Sequence, residues 1–571
     1  MKNLFSKIFA SRFGWLLLLA VLFVANFIAS SFHSRLDLTK EKRYTLSKAT
    51  KELLRSIDDE VQIDVFLKGE FPAGFRKLAN STEEFLQLLK DRNSSRIKYR
   101  FISPQDEMPG TGLPYEDTLR KMGASEINLT VQVKAGQENK RIFPVALITY
   151  KGRQSMVSLY SGGKRMISAA EMNSAEALME YQFAKTLDGL INTSLPMIGY
   201  SIGNGEPTDI RTYDLQQTLQ QSYSLRIIDL NKQPFIPDTF KAIVIVKPSA
   251  QFSEDEKLKI DQYVMRGGKL LMFIDNLNAE QDSLQFKPEL IAFDRNLNLT
   301  DLLFRYGVRI NTDLVMDLQC DFMPFGVGGT AENPQYEFLR WNYYPLFESK
   351  GGTTINKNLG LVAGRFVNSI DTITAAGVKK IVLLSSSRDS RRISTPALIS
   401  LNENRNTPED ARFKDANIPV AMLLEGKFTS LYRNRLSRSQ SDSLAAYGIP
   451  FLESSAKENK MIVVADGDMV LNDVSPQDGP LQMGTNFFTI GSQFEYQFAN
   501  REFLQNCLEY LVNNPAIIET RNKDIVLRLL DSQKVKEQKT TWQFFNIGLP
   551  VLLVILFGWI YQQVRKRKYK M

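Results

Sequence analysis

The last stretch of this chain limits its possible folds most, because it is apolar, uncharged and followed by a basic cluster. From Phe544 to Tyr561 there is no Asp, Glu, Lys or Arg, and the flanking Trp542 and Gln562 extend the run to about 20 residues. At about 1.5 Å per residue, a helix of that length spans roughly the 30 Å hydrocarbon core of a bilayer. The basic residues that follow suit a cytoplasmic membrane edge; they are Arg565, Lys566, Arg567, Lys568 and Lys570. We predict a transmembrane helix over residues 542–564, because a buried core helix rarely lacks charge for so long.

A second apolar run near the N-terminus, from Phe13 to Phe32, is also uncharged and of spanning length. Ala29–Ser31 could instead form the cleavage site of a signal peptide, but the length of the run favours a retained transmembrane helix over residues 13–32. Two spans place both termini on one side of the membrane and the long region between them on the other. The tails beside the spans contain basic and no acidic residues. The positive-inside rule therefore predicts cytoplasmic termini and an extracytoplasmic body.

The formal net charge of +8 lies in the two tails rather than in the body. The chain has 71 Lys and Arg residues against 63 Asp and Glu residues, and Lys2, Lys7, Arg12 and the five basic residues after Val564 account for the whole excess. A neutral body lacks the concentrated positive charge that a nucleic-acid groove requires. The composition therefore predicts no nucleic-acid partner.

The residues needed for several common chemistries are scarce. The only histidine, His33, adjoins the first apolar run, so a Ser–His or Cys–His catalytic site is not expected. Cys320 and Cys507 lie far apart in sequence and predict free buried thiols rather than a disulfide or a zinc site. Gly267-Gly268-Lys269 and Gly162-Gly163-Lys164 lack the other residues of a nucleotide-binding P-loop. We therefore expect no catalytic residues, no metal site and no cofactor.

Between the apolar runs, the pattern of apolar residues first predicts a small α/β domain. Its order of strands and helices is similar to a thioredoxin-like fold, but the redox motif is absent because no cysteine lies in this region. The segments Ile127–Val133 and Arg141–Tyr150 are predicted to pair as strands, and the helix Met172–Ile191 is predicted to link this domain to the next. The other predicted elements are strands at Val61–Leu67, Ile97–Ile102 and Gln154–Leu159 and helices at Arg76–Asp91 and Pro114–Lys121.

A larger α/β domain follows, in which buried strands alternate with helices. This alternation predicts a parallel, doubly wound sheet. The aromatic segment Pro334–Phe347 lies in a less regular region and is either a domain core or a partner surface. The predicted strands are Pro196–Tyr200, Ser224–Asp229, Ala242–Val246, Lys269–Ile274 and Met461–Ala465, and the predicted helices are Thr212–Ser222, Ser253–Arg266 and Asn500–Val512.

Acidic residues follow two of these strands. Glu206 comes after Gly203-Asn204-Gly205, and Asp466 and Asp468 come after Met461–Ala465. Because α/β sheets bind ligands at the carboxyl ends of their strands, these three carboxylates are candidate ligand-binding residues. The alternative is that they cap turns and helices. Within the apolar runs, Asn26 and Asn546 are candidates for hydrogen bonds to a transmembrane partner.

Four segments of the chain resemble one family. Residues 35–47, Arg-Leu-Asp-Leu-Thr-Lys-Glu-Lys-Arg-Tyr-Thr-Leu-Ser, resemble the opening motif of ABC-transporter auxiliary proteins, and residues 260–275, 422–432 and 500–506 extend the match. Together with the two terminal runs, the chain is similar to the GldG type of this family, the "substrate-binding" component of a gliding-motility ABC transporter in Bacteroidetes. The resemblance covers most of the chain.

The resemblance implies a noncatalytic periplasmic body that works with a separate permease and a separate ATPase, in a complex with two copies of the auxiliary subunit. It also implies that the second domain is related to glutamine-amidotransferase-like domains, although this chain lacks the catalytic Cys–His pair. The alternatives are a membrane-anchored binding protein for a glycan or peptide that acts without a transporter, and a hydrolase that uses Glu206 with Asp466 or Asp468.

The predicted organisation is α/β, with a transmembrane helix at each end and a large extracytoplasmic body between them. The predicted regions are a basic tail (1–12), a first span (13–32), a membrane-proximal linker and amphipathic helix (33–58), a thioredoxin-like domain (59–160), a linking helix (161–195), an amidotransferase-like domain (196–518) with an insertion at about 316–460, a membrane-proximal helix (519–541), a second span (542–564) and a basic tail (565–571).

Overall fold

The computed structural model divides into two compact units, Met1–Asp524 and Ile525–Met571. It describes residues 45–522 and 532–568 and, within the first apolar run, Leu19, Leu22–Val24 and Asn26, which are helical. The rest of that run, His33 and residues 523–531 lie outside the described residues. The further gaps are 70, 109–111, 125, 134–135, 161–168, 193, 286, 288, 331–332, 350–351, 402–409 and 514.

The N-terminal domain alternates strands and helices. Its elements are α1 (Lys48–Arg55), β1 (Val61–Val65), α2 (Ala73–Arg92), β2 (Ile97–Phe101), α3 (Tyr115–Lys121), β3 (Ile127–Val133), β4 (Gly136–Ile142), β5 (Val145–Tyr150), β6 (Arg153–Ser158) and α4 (Ala169–Ile191). The main sheet has the order β2-β1-β5-β6. Strands β1 and β2 are parallel, and β5 runs antiparallel to both β1 and β6.

The prediction that Arg141–Tyr150 is one strand paired with Ile127–Val133 is wrong. Strand β3 pairs with β4, whereas β5 joins the main sheet. Phe143 and Pro144 separate β4 from β5. Because proline has no backbone N–H to donate to a ladder, it ends one pairing and lets the chain turn into another sheet.

Helix α4 belongs to the core of the N-terminal domain. Its residues Met179, Phe183 and Leu187 are buried in the same apolar cluster as Ile63 and Ile148 of the main sheet. The helix predicted to link the two domains therefore covers one face of the first sheet and contributes to its hydrophobic stabilisation.

The second domain is built on a large central sheet. Its elements are β7 (Met197–Ile202), α5 (Tyr213–Gln220), β8 (Ser224–Asp229), β9 (Ala242–Val246), α6 (Glu254–Met265), β10 (Lys269–Phe273), β11 (Leu277–Asn278), β12 (Glu289–Asp294), α7 (Thr300–Tyr306), β13 (Val308–Ile310), β14 (Asp313–Asp317), β15 (Cys320–Thr330), β16 (Asn333–Ser349), β17 (Val362–Ala363), β18 (Ile370–Thr372), β19 (Val378–Ser385), β20 (Ser390–Ser394), β21 (Ala397–Ser400), β22 (Pro419–Gly426), α8 (Arg438–Ala446), β23 (Asn459–Val464), β24 (Val474–Ser475), β25 (Gly479–Pro480), α9 (Asn500–Val512) and α10 (Pro515–Ile518). The strand order is β15-β16-β19-β22-β23-β10-β9-β7-β8.

Five neighbouring strands of this sheet, β8, β7, β9, β10 and β23, are parallel. Their side chains alternate between two cores: Val244 and Leu271 face helices α5 and α9, and Ile245 and Met272 face helices α6 and α7. The sequence pattern, in which buried strands alternate with helices, predicts this arrangement of helices on both faces of a parallel sheet. Strands β22 and β19 then extend the sheet in antiparallel fashion.

The aromatic segment forms both core and surface. Trp341 and Tyr343 on β16 are fully buried and contact Phe366. They belong to a separate apolar cluster made by strands between β11 and β21. Tyr336, near the start of the same strand, is 62% exposed. The core interpretation therefore holds for the second half of the segment only.

The second unit contains helix α11 (Ser532–Lys568), with Pro550 in its interior. Its portion Gln538–Arg567 is long and apolar enough to cross a membrane, and none of its most apolar window is buried within the structure. Within the described part of the chain it is the one helix with these properties.

We expect Trp341→Ala to lower the free energy of unfolding of the second domain by about 3–5 kcal/mol, because it leaves a cavity in a closed aromatic core. Tyr336→Ala, on the same strand, should change that free energy by less than about 0.5 kcal/mol, since the ring is mainly exposed. Chemical denaturation followed by tryptophan and tyrosine fluorescence measures both variants. Equal effects of the two substitutions would contradict this assignment of core and surface.

Candidate functional site

The carboxyl end of the central sheet is the region that the acidic candidates indicate. The chain continues from β7 to its neighbour β8 on one side and then crosses to β9 on the other, so the gap between β7 and β9 is the topological switch point of the sheet. In open α/β sheets, ligands bind in the crevice at this point. Glu206 lies here, in the loop that follows β7.

The two loops at the switch point are packed against each other. The backbone N–H groups of Ser249 and Ala250, in the loop after β9, donate to the carbonyl oxygen of Asn204 at 2.9 and 2.8 Å. Gly205 has φ +73°, and a Cβ at this position would lie 2.1 Å from the Ser249 hydroxyl oxygen. Only glycine fits so close to the second loop. The crevice is therefore filled by the protein's own loops.

Glu206 is a buried carboxyl group, 7% exposed. Its Oε2 accepts a hydrogen bond from the Asn204 N–H at 2.8 Å, and its Oε1 is buried without a hydrogen-bond partner among the described residues. Burial raises the pKa of Glu206 above the usual range of a glutamate. The side chain thus closes its own loop.

A buried lysine occupies the neighbouring position along the sheet edge. Lys247 follows β9 directly, is 6% exposed, and has φ +44°. Its Nζ lies 2.6 Å from Asp468 Oδ1, 3.0 Å from Glu280 Oε2 and 3.4 Å from Asp275 Oδ2. Asp275 follows β10 and Asp468 follows β23, so one ammonium group connects the ends of three adjacent strands. We call Lys247, Asp275, Glu280 and Asp468 the lysine cluster.

The protonation states in the lysine cluster follow from burial and charge. Burial alone would lower the pKa of Lys247, but Asp468, Asp275 and Glu280 outweigh it and raise the pKa. The amine therefore remains a cation and cannot act as a base or nucleophile near neutral pH. Burial raises the pKa of Asp275 to about 6, against the opposing effect of Lys247.

Asp466 holds the loop after β23 through its side chain. Its Oδ1 accepts from the N–H groups of Asp468 and Met469 at 2.8 and 3.1 Å, and its Oδ2 accepts from the Arg365 N–H at 2.9 Å. Burial, reinforced by Asp275 and Asp468, raises the pKa of Asp466. The structure thus brings Asp466 and Asp468 together, whereas no described hydrogen bond or ion pair joins either of them to Glu206.

A small pocket lies beside this loop. It is lined in part by Arg365, whose guanidinium pairs with Asp473 through two contacts of 2.6 and 2.7 Å and lies 5.2 Å from the centre of the Tyr344 ring. The space suffices for only one or two water molecules. The lining residues are Asp321, Tyr344, Ala363, Gly364, Arg365, Asp468, Leu471, Gly484, Thr485, Asn486, Phe498 and Asn500.

The remaining sequence predictions on chemistry concern metals and thiols. Cys320 and Cys507 are free and buried, as predicted, and burial raises the pKa of both thiols. Among the described residues, no group of three or more His, Cys, Asp or Glu side chains is placed to hold a metal ion. The acids of the lysine cluster are instead paired with Lys247, and Glu280 also pairs with Arg295.

Sequence reasoning missed Lys247, Asp275 and Arg365. The sequence did indicate the first two. Each comes directly after a predicted buried strand, as Asp466 does, and the carboxyl ends of adjacent parallel strands lie at the same edge of a sheet. Arg365 lies between β17 and β18, in an irregular stretch, and the sequence carries no comparable signal for it.

A second feature of the body is the place where the chain enters and leaves it. Helix α10, near the end of the first unit, packs against both α1 and α4. Glu180 of α4 accepts from the Ser47 N–H and the Thr50 hydroxyl, both at 2.7 Å, and so fixes the start of α1. The incoming segment at 45–55 and the outgoing segment at 515–522 are therefore held on one helix. We call this place the junction.

The outgoing segment is anchored by a buried cation. Arg521 is 3% exposed, donates to the carbonyl oxygen of Lys357 at 3.0 Å and to the side chain of Asn506, and lies 4.7 Å from the centre of the Tyr181 ring. The Tyr181 hydroxyl donates to Glu509 of α9. Arg521 thus connects α4 of the first domain with two parts of the second.

We expect Lys247→Met to lower the free energy of unfolding of the second domain by about 3–5 kcal/mol, since it leaves Asp275 and Asp468 without their lysine partner. Adding Asp468→Asn to that variant should recover part of the loss, because one uncompensated charge is then removed. Chemical denaturation of the full chain measures the effect. Lys232→Met, at an exposed ion pair, is the control and should leave stability unchanged. A loss in the control as large as in Lys247→Met would refute the argument.

The raised pKa of Asp275 predicts a pH dependence. Between about pH 4 and 6 the folded state keeps a proton on Asp275 that the unfolded chain releases, so the free energy of unfolding should decrease as the pH rises through this window. Asp275→Asn, which retains a similar shape, should reduce this slope. Thermal unfolding at pH steps from 4 to 7 measures it, with Asp294→Asn at an exposed position as control. An unchanged slope in Asp275→Asn would contradict the prediction.

Comparisons with known proteins cover both domains. A domain of unknown function matches residues 40–149. An uncharacterized protein of Borreliella burgdorferi is 20% identical over 550 residues, which cover 94% of each chain.

Two solved structures show weak likeness. The N-terminal domain of mmIFT52 has 12% identity and a TM-score of 0.31, with coverage of 56% of this chain and 98% of that one. The exo-beta-1,4-mannosidase Op5Man5 from an Opitutaceae bacterium has 12% identity and a TM-score of 0.18, with coverage of 75% and 51%. At these TM-scores neither likeness defines the fold.

The family described as an ABC-type uncharacterized transport system matches residues 195–507, which is more than half of the chain. The matched region contains the central sheet, the lysine cluster and most of helix α9. This protein belongs to the auxiliary family of ABC-type transport systems.

Proposed function

We propose that this protein is a noncatalytic, membrane-anchored auxiliary subunit of an ABC transporter whose permease and ATPase are separate chains. Membership of the transport-system family supports the general role. The similarity of the chain to the GldG type, which rests on four segments together with the two terminal apolar runs, supports a link to gliding motility. In this proposal α11 and the first apolar run cross the inner membrane, both termini are cytoplasmic, the body is periplasmic, and the complex holds two copies of the subunit.

The observation that carries the proposal is the exposed apolar surface of α11. Phe544, Val554 and Phe557 are 79%, 72% and 74% exposed, and the basic cluster follows the helix. At about 25 cal/mol per Å² of apolar surface, leaving such a helix in water is strongly unfavourable. The apolar surface of the helix is stable in contact with lipid tails or with other membrane helices.

The junction supports a mechanical role for the body. The incoming segment follows the first apolar run in the sequence, and the outgoing segment precedes the second one. Both segments are held on α4, which also contacts the second domain through Tyr181 and Glu509. A movement of the membrane helices would therefore reach both domains at one place. Asn26 and Asn546 stay proposed contacts to transmembrane partners.

The finer fold assignments are also part of the proposal. The strand order β2-β1-β5-β6 and the directions of these strands support a thioredoxin-like N-terminal domain. The five parallel strands with helices on both faces support an amidotransferase-like second domain. Ligand binding by Glu206, Asp466 and Asp468 stays a prediction. The contacts of these residues favour a structural role, in which they stabilise the loops at the edge of the sheet.

Co-purification tests the proposed function. The full-length tagged protein, extracted from its native membrane in mild detergent, should bring down a multispan permease and an ATPase with Walker motifs, identified by mass spectrometry. The carbonate-washed membrane fraction should retain the protein itself, because its apolar helices are integral.

Recovery of the protein without either transporter subunit would refute the proposal. Recovery with a bound glycan or peptide in place of a transporter would favour the membrane-anchored binding protein instead.

A further inference from the structure

Helix α11 contains a backbone defect inside its apolar portion. The helix continues through Pro550, which has no backbone N–H. In a regular α-helix that N–H would donate to the carbonyl four residues earlier, and this carbonyl belongs to Asn546. The Asn546 carbonyl is therefore left without its helical donor.

The side chain of the same residue adds two donors and an acceptor. Asn546 is exposed, and its amide offers two N–H groups and a carbonyl oxygen beside the freed backbone carbonyl. We call this combination of Asn546 and Pro550 the polar notch. The polar notch thus holds both a hydrogen-bond donor and a hydrogen-bond acceptor on one helix.

The notch lies within the hydrocarbon region of the proposed span. The uncharged part of the helix runs from Thr540 to Val564, and Asn546 is six residues from its centre, or about 9 Å along the axis. The half-thickness of the hydrocarbon core is about 15 Å. Lipid tails offer no donor or acceptor, so the polar groups of the notch favour a partner helix.

An apolar stripe continues from the notch along one face of the helix. Positions 546, 550, 553, 557 and 560 alternate steps of four and three residues, which is the spacing of a left-handed helix pair. Beyond the notch these positions hold Leu553, Phe557 and Ile560. In such pairs a single polar residue in the stripe fixes the register of the two helices.

We propose that α11 pairs with α11 of a second copy of this chain, in parallel, with Asn546 of each copy donating to the notch of the other. A second copy of the chain fits the notch because the notch holds both a donor and an acceptor. A two-fold axis between the copies places the donor of each copy opposite the acceptor of the other. The inference rests on the proposed membrane location of the helix. The other faces of α11 stay available to the permease.

Cysteine cross-linking in the membrane tests the pairing. The natural Cys320 and Cys507 are buried, so a single introduced cysteine reports on the helix. Full-length Leu553→Cys, on the stripe, should form a disulfide-linked dimer on oxidation in native membranes. Ile555→Cys, on the opposite face, is the matched control and should cross-link at least about fivefold less. Equal cross-linking at the two positions would overturn the proposal.

Variants of the notch test its chemistry in the Leu553→Cys background. Asn546→Leu should lower the cross-linked fraction roughly threefold to tenfold, the range expected for one interhelical hydrogen bond. Pro550→Ala, which restores the helical donor, should lower it less, and Asn546→Gln should retain most of it. Gln562→Leu, a polar-to-apolar change on the opposite face, is the control.

The outcomes separate this inference from the proposed function. Loss of the dimer in Asn546→Leu with the permease and ATPase still co-purifying supports the pairing. An unaffected dimer in Asn546→Leu, or a cross-link from Leu553→Cys to the permease only, refutes the pairing and leaves the transporter role intact. Absence of the transporter subunits with an intact dimer refutes the transporter role and leaves the pairing intact.

Discussion

The ammonium group of Lys247 is the interaction on which the central sheet most depends. It is buried at the carboxyl end of β9 and pairs with acids that follow β10 and β23, so one cation joins the ends of three strands. Gly467 lies so close that a Cβ there would be 2.7 Å from the Lys247 side chain. A buried charge is tolerated only when it is paired, and here its partners are the residues that a ligand site would use. The edge at which open α/β sheets bind ligands is thus occupied by paired charges and packed loops.

Helix α4 has a comparable part in the organisation of the chain. Its apolar side completes the core of the N-terminal domain, and its polar residues fix the start of α1 and contact the second domain. Because α10 packs on the same helix, the two ends of the body meet there although they are far apart in sequence. Helix α4 is therefore the common attachment of both ends of the body, and it also contacts the second domain.

The strands and helices that position the candidate site were predictable because they are long and strongly periodic. The apolar run Ala242–Val246 and the acidic start of α6 gave clear signals, and helix α9 was predicted with its observed bounds. The division at Phe143-Pro144 was missed although Pro144 interrupts the predicted strand Arg141–Tyr150. That β4 and β5 pair in different sheets depends on the tertiary structure. Arg365 could not be assigned to the sheet edge because its place depends on how an irregular segment folds back onto the loop after β23.

The sequence by itself determined what is local: the apolar length of the terminal helix, the alternation of strands with helices, and the scarcity of histidine and cysteine. Each of these follows from residue types within a few turns or strands. The tertiary structure alone decided which distant groups share a buried site. It placed Lys247 among the acids that follow two other strands and brought the two ends of the body onto α4. It formed no described hydrogen bond or ion pair between Glu206 and Asp466 or Asp468. These outcomes depend on strand order and on the pairing of buried charges, which a linear pattern does not encode.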